Sequence, residues 1–150
     1  MRLLIPDAIR VDHDELTTLV LEGFHGVGKR GVELHLSAHR GRVIFHGRAW
    51  PEIPPGAAVA PETRYLVQIS MPKAPSQNGF PFEWRYPRRK TAPWLVAHTW
   101  QERLLAVAAH EAYHVKQFRF GMRRSEVTAE RWAAKALERF RSRGLIQMDR

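Results

Sequence analysis

Hydrophobic and polar positions along the chain alternate and recur in patterns that predict secondary structure. Leu16, Leu19, Val20 and Phe24 recur at helical spacing and mark one face of an amphipathic helix. Asp12 and Glu15 stand at capping-box spacing at its expected start, and Gly23 and Gly26 stop it. Further on, Val32, Leu34, Leu36 and Ala38 alternate with Glu33, His35 and Ser37, the pattern of a half-buried strand. Residues 39–42 read as a turn, and Val43 to Arg48 is expected to return as that strand's hairpin partner. A proline-rich connection covers 51–61. Tyr65, Val67, Ile69 and Met71 then define a third strand, which Pro72 ends.

The stretch 72–93 is rich in proline, contains an Asn78-Gly79 turn, and places Phe80, Phe82, Trp84 and Tyr86 at period two. It suits a fourth strand, a hairpin arm or an extended loop, and is expected to lie ordered beside a cleft. Two helices close the chain. Thr99 and Glu102 form a second capping-box spacing, opening a helix expected to reach about Phe120 and to end at Gly121. Ser125 caps the last helix, expected from Glu126 to about Arg143 with Gly144 as its stop. The order is helix, three or four strands, then two helices. This is an α+β pattern, and with no repeat or linker it reads as one domain over residues 1–150.

At 150 residues, 44% hydrophobic and 26% charged, the chain is long enough for a single core. No apolar run approaches the ~18 residues of a spanning helix, and the N-terminal apolar run is broken by Pro6 and Asp7. A cytoplasmic protein with no membrane partner is therefore expected. The absence of cysteine excludes disulfides and thiolate metal sites, so any metal must be held by nitrogen and oxygen. The formal charge of +9 is carried mostly by arginine. Arginine pairs with phosphate and carboxylate, which makes nucleic acid or an acidic protein a conceivable partner. The basic residues are scattered, however, and no nucleic-acid motif accompanies them.

The chemistry is concentrated in His110-Glu111-Ala112-Tyr113-His114. On a helix, His110 and His114 lie one above the other, so both imidazoles can bind one metal ion while Glu111 faces its open side. A zinc site needs a third ligand. No histidine follows His114, which removes arrangements with a third histidine downstream, as in the metzincins. The acids that follow are Glu126, Glu130, Glu138 and Asp149. Glu126 and Glu130 share a helix face with Ala133, Leu137 and Phe140, the side expected to pack inward. An unpaired carboxylate there is costly. A metal would satisfy one of the two, and the other would hydrogen-bond a ligand histidine.

His-Glu-x-x-His followed by a short turn and a helix opening with Glu126-Val127-Thr128-Ala129-Glu130 resembles the gluzincin metallopeptidases. The second segment is similar to the Glu-x-x-Ala-Asp of the CAAX-type membrane endopeptidases. The resemblance covers residues 100–140 and departs from those enzymes at Tyr113, where they carry a smaller residue, and in lacking membrane spans. It implies a minimal zincin-like domain, an active-site helix and a C-terminal ligand helix. It implies Zn2+ held by His110, His114 and Glu126, with Glu130 as supporting acid or alternative ligand. It also implies an edge strand beside the cleft, for which residues 64–71 are the candidate.

The activity implied is hydrolysis of peptide bonds in a protein or peptide substrate. A water made acidic by the metal gives its proton to Glu111, the general base. The oxyanion that follows needs a donor, for which Tyr113, His98, Tyr86 and an arginine of the 85–89 run are candidates. The alternative is a non-enzymatic basic module that binds nucleic acid or an acidic partner, with a structural or vestigial metal site.

Overall fold

A computed structural model describes residues 1–39, 45–87 and 89–144. The elements in order are β1 (Arg2–Leu4), α1 (His13–Gly23), β2 (Val32–His39), β3 (His46–Trp50), β4 (Tyr65–Pro72), β5 (Phe82–Trp84), β6 (Leu95–Ala97), α2 (Trp100–Arg119) and α3 (Glu126–Ser142). The fold is mixed α and β. Among the described residues no helix is long and apolar enough to cross a membrane.

The main sheet has the order β1-β2-β4-β3. Strands β1, β2 and β4 run parallel, and β3 pairs antiparallel with β4 at one edge. The expected hairpin between β2 and β3 is therefore not formed, because β4 lies between them. The difference has a physical reason. Tyr65–Pro72 buries Leu66, Val67, Ile69, Met71 and Pro72 and suits a position paired on both sides, whereas His46–Trp50 exposes His46 and Arg48. Polar residues are tolerated at an edge. The same order overturns the expectation for residues 64–71, which form an interior strand. The edge strand beside the cleft is β3. The expected turn at 40–42 and the start of the returning strand at 43–44 lie outside the described residues.

Strand β1, three residues cut short by Pro6, is too brief to leave a periodic signal. The aromatic run of 80–86 contributes only Phe82–Trp84, which pairs with Leu95–Ala97 as a separate two-stranded ribbon. That ribbon carries Trp84 to the cleft, as the hairpin reading expected.

Helix α2 is the centre of the molecule, packed against α1, α3, β3 and β4. It is buried on nearly all sides from Trp100 to Val115, which explains its run of alanines. Gly23 at the end of α1 touches it so closely that a Cβ there would lie 2.7 Å from Ala108 Cβ. Both capping boxes are half used. Asp12 accepts from Asp14 N, while Glu15 accepts from Gln101 Nε2 and ties α1 to α2. Thr99 Oγ1 accepts from Glu102 N, while the Glu102 carboxylate accepts from His98 N and from Arg141 of α3 at 2.6 Å. Glu15 thus joins two helices instead of pulling back over its own helix end, and Glu102 does both. Helix α3 is capped by Ser125, as expected, and buries Ala129, Glu130, Ala133, Leu137 and Phe140 against α2.

Candidate metal centre

The buried helix α2 fixes His110 and His114 one turn apart, and the short turn after it brings the start of α3 back beside them. The two Nε2 atoms lie 3.1 Å from each other. Glu126 Oε2 stands 2.9 Å from His110 Nε2 and 3.2 Å from His114 Nε2. These three residues form a group that can hold a metal ion, with ligand atoms all within 4.8 Å of one another.

The far side of each ring is also committed. His110 Nδ1 donates to Glu130 Oε1 at 2.6 Å, and Glu130 Oε2 accepts from Trp84 Nε1 at 2.9 Å. His114 Nδ1 donates to Gln117 Oε1 at 2.8 Å. With each Nδ1 carrying its hydrogen, both Nε2 atoms are directed at each other and at the Glu126 carboxylate, where they can share a proton with it or, as neutral rings, bind a metal ion. The spacing suits a metal: tetrahedral ligands at ~2.0 Å from zinc stand roughly 3.3 Å apart. The donor set of two imidazoles and one carboxylate suits zinc, and the Nδ1 partners orient the rings as metal-bound histidines require.

The electrostatics follow from the same contacts. Burial works against charging His110, but its hydrogen bonds to Glu126 and Glu130 prevail and lift its pKa to about 9. Burial likewise works against ionising Glu126, and the two histidines overcome it, holding the carboxyl far below the usual carboxylate range. Glu111 goes the other way. Burial raises its pKa, with the Glu126 charge adding to the rise and the two histidines offsetting part of it. Its Oε1 is buried with no hydrogen-bond partner among the described residues. A buried carboxylate with a free oxygen and a raised pKa is suited to accept a proton.

Glu111 faces a cleft of about 1190 Å³. One wall is the edge strand from Phe45 to Arg48. The floor is α2 from Arg103 to Glu111, and the opposite wall is formed by Trp84, Arg85, Tyr86, Pro87 and Arg89. Of the candidate donors, Tyr86 lies in the cleft, its ring centroid 6.4 Å from that of His110. Burial, aided by Glu126, raises the pKa of its hydroxyl and keeps it a donor. Tyr113 points instead toward α3, where Trp132 covers it at 5.2 Å. His98 is exposed just before α2 begins. Neither lines the cleft. Arg85 and Arg89 do, and Arg88 lies outside the described residues, as does Asp149.

Trp84, Gln117 and Gly47 complete the centre and were not singled out by the sequence. Gln117 follows His114 by three positions, so it lies on the same helix face. Glycine inside a strand marks close backbone approach, and Gly47 fits that rule. Trp84 belongs to an aromatic alternation equally compatible with plain core packing. Comparison with known proteins finds no matching family model, no curated relative and no solved structure with significant similarity.

Proposed function

We propose that this chain is a zinc-dependent peptidase of the gluzincin type, with a minimal zincin-like fold. The observation that carries the reading is the convergence of His110 Nε2, His114 Nε2 and the Glu126 carboxylate beside a buried Glu111 oxygen that has no hydrogen-bond partner among the described residues, in one cleft. His110, His114 and Glu126 would hold the zinc ion, which would supply Lewis acidity for a bound water and a carbonyl oxygen.

The residues of the chain do the rest. Glu130 and Gln117 fix the rings so that each presents Nε2. Glu111 takes a proton from the attacking water at Oε1 and passes it to the leaving amine, the role its raised pKa favours. Tyr86 is the donor best situated to stabilise the developing oxyanion. Strand β3, unpaired on its outer side among the described residues, offers backbone groups to an extended substrate.

Metal analysis with a Glu111→Gln variant tests the reading. The expected result is one zinc per chain in both proteins, and cleavage of an unfolded protein by the wild type only. Absence of zinc, with melting unaffected by added metal or chelator, would overturn it.

A further inference from the structure

Among the described residues, five arginines line the cleft, Arg48, Arg85, Arg89, Arg103 and Arg124, and the acids lining it are Glu111, Glu126 and Glu130. Four of the arginines are committed or exposed. Arg48 lies 3.7 Å over the Trp50 ring, Arg85 donates to the Ala92 and Lys90 carbonyls, Arg124 pairs with Glu126, and Arg89 is exposed. Arg103 differs from all of them.

Its guanidinium lies 4.1 Å over the Trp84 ring and 5.4 Å from that of Phe82. Its one hydrogen bond among the described residues, to the Phe45 carbonyl, is long at 3.4 Å. Among the described residues no carboxylate forms an ion pair with it. Burial draws its pKa down to about 10, against a smaller opposing pull from Glu130. The cation is half-buried in the cleft wall with no carboxylate in ion-pair contact among the described residues, so an entering anion would find it available. A planar guanidinium backed by an aromatic face leaves its fork free for a carboxylate.

We propose that the cleft selects peptides carrying a carboxylate about three to four residues from the bond held at Glu111, and that Arg103 receives it. The register rests on the peptidase reading. Arg103 precedes Glu111 by eight residues, roughly 12 Å along the helix, which an extended peptide spans in about three to four residues. A peptide fits these walls better than a nucleic acid. One half-buried arginine beside a strand edge that is open among the described residues matches a single carboxylate on an extended chain, whereas a phosphate ladder would have to pass Glu111, Glu126 and Glu130.

The test separates recognition from cleavage. End-blocked fluorescent decapeptides that differ by Glu or Gln at one scanned position are titrated into zinc-loaded Glu111→Gln protein and followed by anisotropy. The best Glu peptide should bind at least about tenfold tighter than its Gln twin. Arg103→Gln in that background should bring the ratio close to one, and Arg103→Lys should retain part of it. Because the ratio is read within one protein, the Lys variant still decides the matter where the Gln variant fails to fold. A peptide without acidic side chains but with a free C-terminus, bound tightly only when Arg103 is present, identifies the chain end as the source of the carboxylate and supports the proposal. Equal affinities for the Glu and Gln peptides, or a ratio unchanged in Arg103→Gln, overturn it. So does a ten-nucleotide single strand that binds more tightly than the best peptide and weakens in Arg103→Gln. Failure of the zinc-loaded wild type to cut the best-bound peptide overturns the peptidase reading and the register with it, while the Arg103 ratio still decides carboxylate recognition.

Discussion

Gly47 on the edge strand presses directly on Glu111: a Cβ built at residue 47 would lie 2.7 Å from Glu111 Cγ and 3.0 Å from its Oε2. The strand thus seals one side of the carboxylate from water and limits the directions it can face. The same Cβ would lie 2.7 Å from Val107 Cγ1. Gly47→Ala should therefore destabilise the protein by about 1–3 kcal/mol through overpacking and shift Glu111 from its place. Zinc content should be unchanged, since neither contact involves a ligand, while turnover falls. Thermal melting, metal analysis and steady-state kinetics on one preparation check this; a fully active, unshifted variant would show that Glu111 needs no such support.

Glu126 and Glu130 occupy different sides of His110, and the difference predicts different losses. Glu126 approaches Nε2, whereas Glu130 approaches Nδ1. Glu126→Gln removes a proposed ligand and should leave the protein largely metal-free after dialysis. Glu130→Gln removes the group that orients His110 and should keep zinc with about 10- to 100-fold weaker affinity. Competition with a chromophoric chelator distinguishes the two. The reverse order of affinities would exchange the roles of the two acids.

Trp84 joins the two-stranded ribbon to this centre through its hydrogen bond to Glu130. Trp84→Phe keeps an aromatic face beneath Arg103 but leaves Glu130 Oε2 without its donor. A smaller loss of zinc affinity than in Glu130→Gln is expected, accompanied by a reduced net stability of about 1 kcal/mol. Isothermal titration with zinc and chemical denaturation measure the two effects separately. Equal zinc affinity in the variant and the wild type would limit Trp84 to a packing role.

Much of this arrangement is written locally, and the part that is not has a common cause. The candidate metal centre is built from residues 110 to 130, where helical periodicity converts sequence spacing directly into shared faces, so that the proximity of His110, His114, Glu126 and Glu130 was legible in the sequence. Caps at Asp12, Thr99 and Ser125 were legible for the same reason. Strand pairing is not local. The alternation in 32–38 shows that a strand exists but not which neighbour it takes, and β4 entered between β2 and β3 because of its burial, a property of the assembled sheet. The cleft walls are likewise nonlocal: Gly47 meets Glu111 across 64 residues, and Trp84 meets Glu130 across 46. Tyr113, adjacent to the motif in sequence, faces away from the cleft, whereas Tyr86, distant in sequence, enters it.

Away from the centre, Glu33 predicts an acid-limited stability. Its carboxylate on β2 is fully buried and accepts from Ala60 N and Thr63 Oγ1, each at 3.0 Å, and from His35 Nε2 at 2.5 Å. Burial alone would raise its pKa, but these hydrogen bonds and the His35 charge together carry it below the ordinary value of 4.5. A pKa depressed by folding means that the ionised form stabilises the native state. The contribution is complete above the unfolded value and is lost as pH falls from about 4.5 through the folded pKa. Glu33→Gln keeps the shape but turns an acceptor into a donor facing donors, and should cost about 1–3 kcal/mol at neutral pH. The gap between wild type and variant should close as the pH falls below 4.5, because the protonated wild-type carboxyl suffers the same mismatch. Urea denaturation from pH 7 to pH 3.5 reads the gap directly. A gap that stays constant across that range would mean that the ionised carboxylate does not hold the 60–63 loop to the sheet.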